Sequence, residues 1–309
     1  MTDNTALRKH RKKNIWPYLF LAPFILVYLA FFAFPIGYSF YISLHDWTIT
    51  SHSFEGLKNY VKLFTSDPYF IKSIKNTLII MLFTIPILII LGLLLANKLA
   101  DEKLKHRQFF RTANYLPYIT TPVAVAIIFS MMFDRNVGVV NEILVKTGIF
   151  KEPINWLTAA PAMQRIMLVF MLVWEWVGYY TIVYIASITG LPMDVYEAAK
   201  VDGASGFKIF FKITVPLLKN ITMFLVITSI ITQLQLFDQP YLLVRGMGTE
   251  PTYTLQRPLM TVMTNFMDQS IQNGRLGYGA AITYGLFLVI CIITFGFLMI
   301  TRRRGKADD

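Results

Sequence analysis

The chain has 309 residues, 55% of them hydrophobic and 15% charged, with a formal net charge of +11. A water-soluble domain carries about 25% charged residues, so this chain has too few to cover a soluble surface, and a soluble enzyme is excluded. On a soluble protein the positive charge would suggest a nucleic-acid partner. Here the placement of Lys and Arg favours membrane orientation, with no nucleic acid involved.

Six segments are long and apolar enough to cross a bilayer, which takes about 20 helical residues. They are 15–44, 76–97, 113–133, 166–190, 220–237 and 276–301. With the N-terminus inside, segments 1–14, 98–112, 191–219 and 302–309 hold 18 of the 29 Lys and Arg. That is about 27% of their residues, against about 11% outside. Both ends are therefore expected in the cytoplasm. The fold expected is an all-α integral membrane protein with six transmembrane helices surrounded by lipid. The divisions are a basic tail 1–14, a first transmembrane helix with an external segment 15–72, a core 73–301 containing the cytoplasmic loop 191–216, and a tail 302–309.

The first span is twice as long as the apolar region of a signal peptide, so it reads as a retained helix. Its length and Pro35 predict that it tilts, kinks or stops near that proline. Trp16, Tyr18 and Trp47 flank it as interface anchors. The only cysteine, Cys291, allows no disulfide within the chain. His10, His45, His52 and His106 are scattered among loops, and no metal site is expected. No paired acid or nucleophile–base arrangement marks the chain as an enzyme.

The loop 191–216 reads as helix–turn–helix. Asp194 is placed to cap the first helix, with Glu197 three residues on as in a capping box. Ala198 and Ala199 favour helix, Gly203 supplies a left-handed residue at its end, and Ser205 can cap a second short helix. Pro216 marks a bend where the next span begins. Two roles fit these residues: a plain connector on the membrane, or a small-residue helix that docks into a cleft on another protein.

The order Glu197-Ala198-Ala199, Asp202-Gly203-Ala204, Ile213 and Pro216 resembles the EAA motif of the permease subunits of binding-protein-dependent ABC importers. Val215 stands where that family usually has Leu. Trp16 to Pro23, Gly56 to Tyr60, Lys75 to Thr77 and Leu236 to Leu243 are similar to carbohydrate-uptake permeases, of the maltose and glycerol-phosphate first-permease type. Gly246-Met247-Gly248-Thr249-Glu250-Pro251 is a looser version of a glycine-rich stretch in the family. The resemblance implies a MetI-like, type I importer core. It also implies that the loop is a coupling helix for a separate ATPase. Its partners would be a second permease subunit in a heterodimer, two cytoplasmic ATPase subunits and an extracytoplasmic solute-binding protein. No phosphate-cradling Gly-x4-Gly-Lys-Ser/Thr pattern occurs in the chain. No cofactor is therefore expected on it, ATP being held by the partner subunits.

Polar groups inside spans are the remaining pointers, to helix packing or to a solute path, because a charge at mid-span costs about 2.5–3.5 kcal/mol on insertion scales and needs a reason. Glu175 is the only acid inside an otherwise uncharged span; a hydrogen bond to a neighbouring helix and a solute contact both fit it. Trp176, Tyr180, Tyr184 and Ser187 share one face of the fourth span. Thr228, Thr232, Gln235 and Gln239 form a polar stripe on the fifth, with Asp238 alongside. By resemblance the solute passes near this part of span five and the Gly178-Tyr179 region of span four. That gives Gln235 and Asp238 first, then Tyr179 and Tyr180, with Gly178, Trp176, Glu175 and Thr232 around them. Gly277, Ala281 and Gly285, four apart, predict a close-packed seam, either within the chain or against a second permease. The function implied is carbohydrate import across the cytoplasmic membrane driven by a partner's ATP hydrolysis. The alternative is an ion-coupled secondary transporter acting alone.

Overall fold

The computed structural model describes residues 16–156, 159–246 and 257–305, with backbone only at 245–246 and 302–305. The basic tail 1–14 and the glycine-rich stretch from 247 to 251 lie outside the described residues. Helix α1 (Trp16–Tyr28), a π turn (Leu29–Ala33) and α2 (Phe34–Ser43) make one 28-residue span. This span runs on past Pro35. Proline brings no N–H to the helical ladder, and the π turn resets the register so that the Phe34 N–H reaches the Leu29 carbonyl. No side chain of α1 is buried.

A small hairpin follows, β1 (His45–Trp47) antiparallel to β2 (His52–Phe54), with His45 opposite Phe54. With an isolated bridge between Thr48 and Arg275, it makes up the β structure among the described residues. Helix α3 (Lys58–Thr65) locks it in place: Asn59 Nδ2 donates to the carbonyls of Ser43 (3.0 Å) and His45 (2.9 Å). Helix α4 (Pro68–Leu99) is capped by Asp67, which accepts from the Tyr69 (2.7 Å) and Phe70 (3.3 Å) amides. A cap of this kind is worth about 1 kcal/mol. The same carboxylate accepts from the Tyr278 hydroxyl, joining α4 to the last span.

The segment 113–133 is not one continuous span. It consists of α5 (Arg107–Ile119) and α6 (Pro122–Met132), whose axes differ by 95°. The cause is local. A residue before proline avoids helical angles, and Thr121, before Pro122, is extended at ψ 139°, as is Thr120 at ψ 144°. The Thr121 hydroxyl then accepts from the Ala124 amide and starts the new helix.

Helix α7 (Val139–Lys146) lies in the next external segment. Helix α8 (Pro161–Thr189) is a continuous span. Next come α9 (Met193–Val201), α10 (Gly206–Ile209), a π turn (Phe210–Thr214) and α11 (Val215–Leu217). The chain bends by 63° after Leu217, where Pro216 predicted it, and enters α12 (Lys219–Leu234). Helix α13 (Asp238–Gly246) is separate, so the polar stripe expected along span five is broken after Leu234. Gln235 ends α12, and Asp238 and Gln239 begin another helix. Helix α14 (Val262–Met267), a π turn (Asp268–Gln272) and α15 (Leu276–Gly305) complete the described chain. Among the described residues four continuous helices are long and apolar enough to cross a membrane, and the two bent pairs bring the number to as many as six if each is one span.

Lipid gives spans no hydrophobic reason to associate, so small residues that let backbones approach carry the packing. A Cβ on Gly92 of α4 would lie 2.6 Å from the Tyr180 Cβ of α8. A Cβ on Gly277 would collide with the His45 carbonyl, and one on Gly285 would lie 2.5 Å from Leu63 Cδ2, while Ala281 is fully buried. The seam on the last span is therefore internal, against the hairpin and α3.

Candidate functional site

The cytoplasmic loop is built on a closed backbone turn. The Ala204 N–H bonds the Ala199 carbonyl (2.9 Å) and the Gly203 N–H bonds the Lys200 carbonyl (3.1 Å). This pair is the Schellman ending of a helix, and it needs a left-handed residue, here Gly203 at φ 72°. Nothing lies within 4 Å of where a Gly203 Cβ would be. Ser205 caps α10 by accepting from the Lys208 amide (3.4 Å). The Tyr196 hydroxyl meets Thr214 Oγ1 at 3.1 Å and ties α9 to the π turn.

The capping box expected from Asp194 and Glu197 does not form. Pro192 is the N-cap, with no side-chain hydrogen bond. Its restricted φ starts the helix one residue before Asp194, which becomes a first-turn acid near the positive end of the helix dipole. Ala199 is the buried residue of α9, Ile213 is half-buried, and Glu197, Ala198, Asp202, Gly203 and Pro216 are exposed. Beside them Val201 is 88% and Phe207 75% exposed. The outcome is a ledge of small, apolar and acidic side chains on a stapled base.

Within the spans, the sequence-selected residues separate into two groups. Glu175 is buried in α8, and both its carboxylate oxygens accept from Gln239 Nε2, at 3.1 and 3.0 Å. Of the two roles open to Glu175, the hydrogen bond to a neighbouring helix is formed within the chain. Tyr180 is buried with its hydroxyl against Ser229 Oγ, and the Tyr184 hydroxyl lies 2.9 Å from Thr222 Oγ1, so both join α8 to α12. A Cβ on Gly178 would collide with the Asn114 carbonyl, so this glycine seats α5 on α8.

The other group is open to the outside of the single chain. Thr232, Gln235 and Asp238 are exposed around the break between α12 and α13. Tyr179 is half-buried and stacks on Tyr118 of α5, with ring centroids 5.0 Å apart and planes 25° apart. Trp176 meets Tyr118 edge-on at 5.5 Å, and Tyr115 adds a fourth ring at 5.3 Å from Tyr118. Sequence reasoning missed Tyr115 and Tyr118. Their three-residue spacing on an amphipathic helix was the available signal, hidden by reading 113–133 as a straight span. Among the described residues no group of three His, Cys, Asp or Glu lies together as a metal site would need.

The sequence matches the family described as binding-protein-dependent transport system inner membrane component over residues 70–304. The lactose transport system permease protein LacF of Rhizobium radiobacter is 34% identical over 296 residues, covering 95% of this chain and 96% of that protein. The arabinooligosaccharides transport system permease protein AraP of Bacillus subtilis is 33% identical over 283 residues, covering 91% and 87%. A chain in the crystal structure of a bacterial ABC transporter for the acidic polysaccharide alginate superposes with a TM-score of 0.77 at 26% identity. The match covers 94% of this chain and 96% of that one. A similar match, with a TM-score of 0.76, is to that bacterial transporter in complex with its alginate pentasaccharide-bound periplasmic protein.

Proposed function

The chain belongs to the family of inner-membrane components of binding-protein-dependent transport systems, and from that membership we infer that it is a multi-pass permease subunit of an ABC importer for a carbohydrate. The relatives LacF and AraP are named for lactose and arabinooligosaccharides, which supports the solute class. The observation that carries the coupling half of this reading is the ledge that exposes Glu197, Ala198, Asp202 and Gly203 and is tied to the chain leading into α12 by the Tyr196–Thr214 hydrogen bond.

The partners are a second permease, two cytoplasmic ATPase subunits and an extracytoplasmic solute-binding protein that delivers the sugar. The apolar first span supports the permease pairing, since α1 buries no side chain within its own chain. ATP closes the ATPase pair. The ledge moves with it, because α9 is tied through Tyr196 and Thr214 to the π turn that leads into α12. Movement of α12 shifts Thr232, Gln235 and the start of α13, the residues assigned to the solute path along with Tyr179 and Trp176. Stacked aromatic rings can pack on the apolar face of a sugar ring, and amide and carboxylate groups can bond its hydroxyls. Glu175, Gly178 and Tyr180 stand behind that path and fix the helices that line it. No covalent chemistry occurs on this chain, which works in the cytoplasmic membrane and is not an enzyme.

The test is reconstitution in liposomes with the partners that co-purify in mild detergent. Uptake of a carbohydrate that requires ATP and the binding protein is the expected result. Uptake by this chain alone under an ion gradient would overturn it.

A further inference from the structure

Lys72 and Lys75 stand at the outer start of α4, against the trend that gathers cations at the cytoplasmic ends of spans. They line a groove of about 480 Å³ together with Thr65, Ser66, Asp67, Pro68 and Ile71. Lys75 is exposed and Lys72 half-buried, and neither has a hydrogen bond or ion pair among the described residues. Asp67 is the acid in that lining. It is buried, and its carboxylate is already bonded to the Tyr69 and Phe70 amides and the Tyr278 hydroxyl. Lys62 Nζ lies 4.9 Å from the centre of that same Tyr278 ring. The Thr65 and Ser66 hydroxyls donate to the carbonyls of Val61 (2.6 Å) and Lys62 (3.3 Å), which leaves their oxygens able to accept. The groove thus offers two accessible ammonium groups, two hydroxyl acceptors and a positive balance.

Depth along the helix decides what binds there. Between Lys75 and Lys98, α4 holds 22 residues without Asp, Glu, Lys or Arg. At 1.5 Å per residue these two lysines stand about 35 Å apart, a little more than the roughly 30 Å hydrocarbon core. Lys75 is therefore at the level of the outer lipid headgroups, with Lys72 about one turn further out. The face below them is apolar. Leu82 follows Lys75 by seven residues, and Phe83 and Ile90 follow Lys72 by eleven and eighteen, all close to whole helical turns. All three side chains are more than half exposed. A metal cation would be repelled by the lysines. A free phosphate would use the lysines and leave the apolar face bare. An apolar helix of another subunit would cover the face and leave both lysines unpaired. A lipid with an anionic headgroup matches both halves: phosphate against the ammonium groups, an acyl chain along Leu82, Phe83 and Ile90.

We propose that this face of α4 binds one anionic phospholipid of the outer leaflet, of the phosphatidylglycerol kind, with its phosphate held by Lys72 and Lys75. The site is independent of which solute the chain carries. The test places a photo-activated crosslinker at Leu82 of the assembled importer, in nanodiscs of equal phosphatidylglycerol and phosphatidylcholine, and identifies the adducts by mass. Phosphatidylglycerol adducts should exceed phosphatidylcholine adducts. That ratio should fall about fivefold in Lys72→Ala or Lys75→Ala, the weight of one lysine near an anionic lipid surface, and further in the double variant. It should survive in Lys72→Arg with Lys75→Arg, which keep the charges. It should also survive in Lys58→Ala, whose lysine is paired with Glu55 on the same outer side. Inorganic phosphate added at constant ionic strength should leave the ratio unchanged. Equal capture of the two lipids, or a ratio indifferent to both lysines, would overturn the site. So would a ratio abolished by inorganic phosphate, or capture of another subunit in place of lipid.

Discussion

Gln239, the second residue of α13, donates from its one amide nitrogen to both carboxylate oxygens of Glu175 in α8. Two helices far apart in sequence are thereby joined at a buried acid just behind the break between α12 and α13. Gln239→Leu should lower stability by about 1.5–3 kcal/mol, because the carboxylate then lies buried without its donor. Glu175→Gln removes the charge and should cost less. In the double variant the loss should be smaller than in Gln239→Leu alone, the non-additive signature of a direct contact. Thermal unfolding of the detergent-solubilised protein measures all three, and strictly additive losses would argue against the pair.

Glycines in the spans should respond according to what surrounds them. Gly178→Ala places a methyl group against the Asn114 backbone, which cannot swing aside. Overpacking of this kind costs about 1–3 kcal/mol. Gly296→Ala, in a helical position with nothing within 4 Å, should be neutral or stabilising by up to about 1 kcal/mol. Unfolding midpoints that move alike in the two variants would contradict the close approach of α5 and α8.

Gly203→Val tests the turn after α9 without any clash. The open space around that position leaves only the left-handed backbone as a source of strain, about 1–2 kcal/mol for a residue with a Cβ. The spans should insert and assemble normally, while ATP hydrolysis no longer drives uptake. Assays of ATPase activity and solute uptake on the same vesicles separate the two effects. Normal uptake per ATP would remove the docking role from the loop.

Gln235→Ala and Asp238→Ala should change the apparent affinity or the solute preference of uptake while the complex still assembles. Both side chains are exposed at a helix break, so their removal leaves no cavity. Transport kinetics unchanged in both variants would take these residues out of the path.

The turn within the loop 191–216 was largely legible in the sequence, because it depends on residue-specific backbone needs: Gly203 for a positive φ, Ser205 for a cap, Pro216 for a bend. The candidate crossings were legible from apolar length alone. Two features were not. The 95° break at Thr120 and Thr121 falls inside a segment whose length and average apolarity read as one crossing, and hydropathy does not report helix direction; Pro117, Pro122 and the two threonines between them were the local signs of it. The fate of Glu175 depended on Gln239, which periodicity had placed on a continuous stripe with Gln235. Once α12 ends at Leu234 that periodicity no longer applies, and Gln239 turns inward while Gln235 stays exposed.

A photo-activated crosslinker in place of Val201, the most exposed large apolar side chain on the cytoplasmic ledge, reads out what this surface meets in living cells. Illumination should capture an ATP-binding subunit, with a yield that changes when cellular ATP is depleted. Capture of lipid alone, at a yield indifferent to ATP, would contradict a ledge that transmits the motion of an ATPase to the membrane spans.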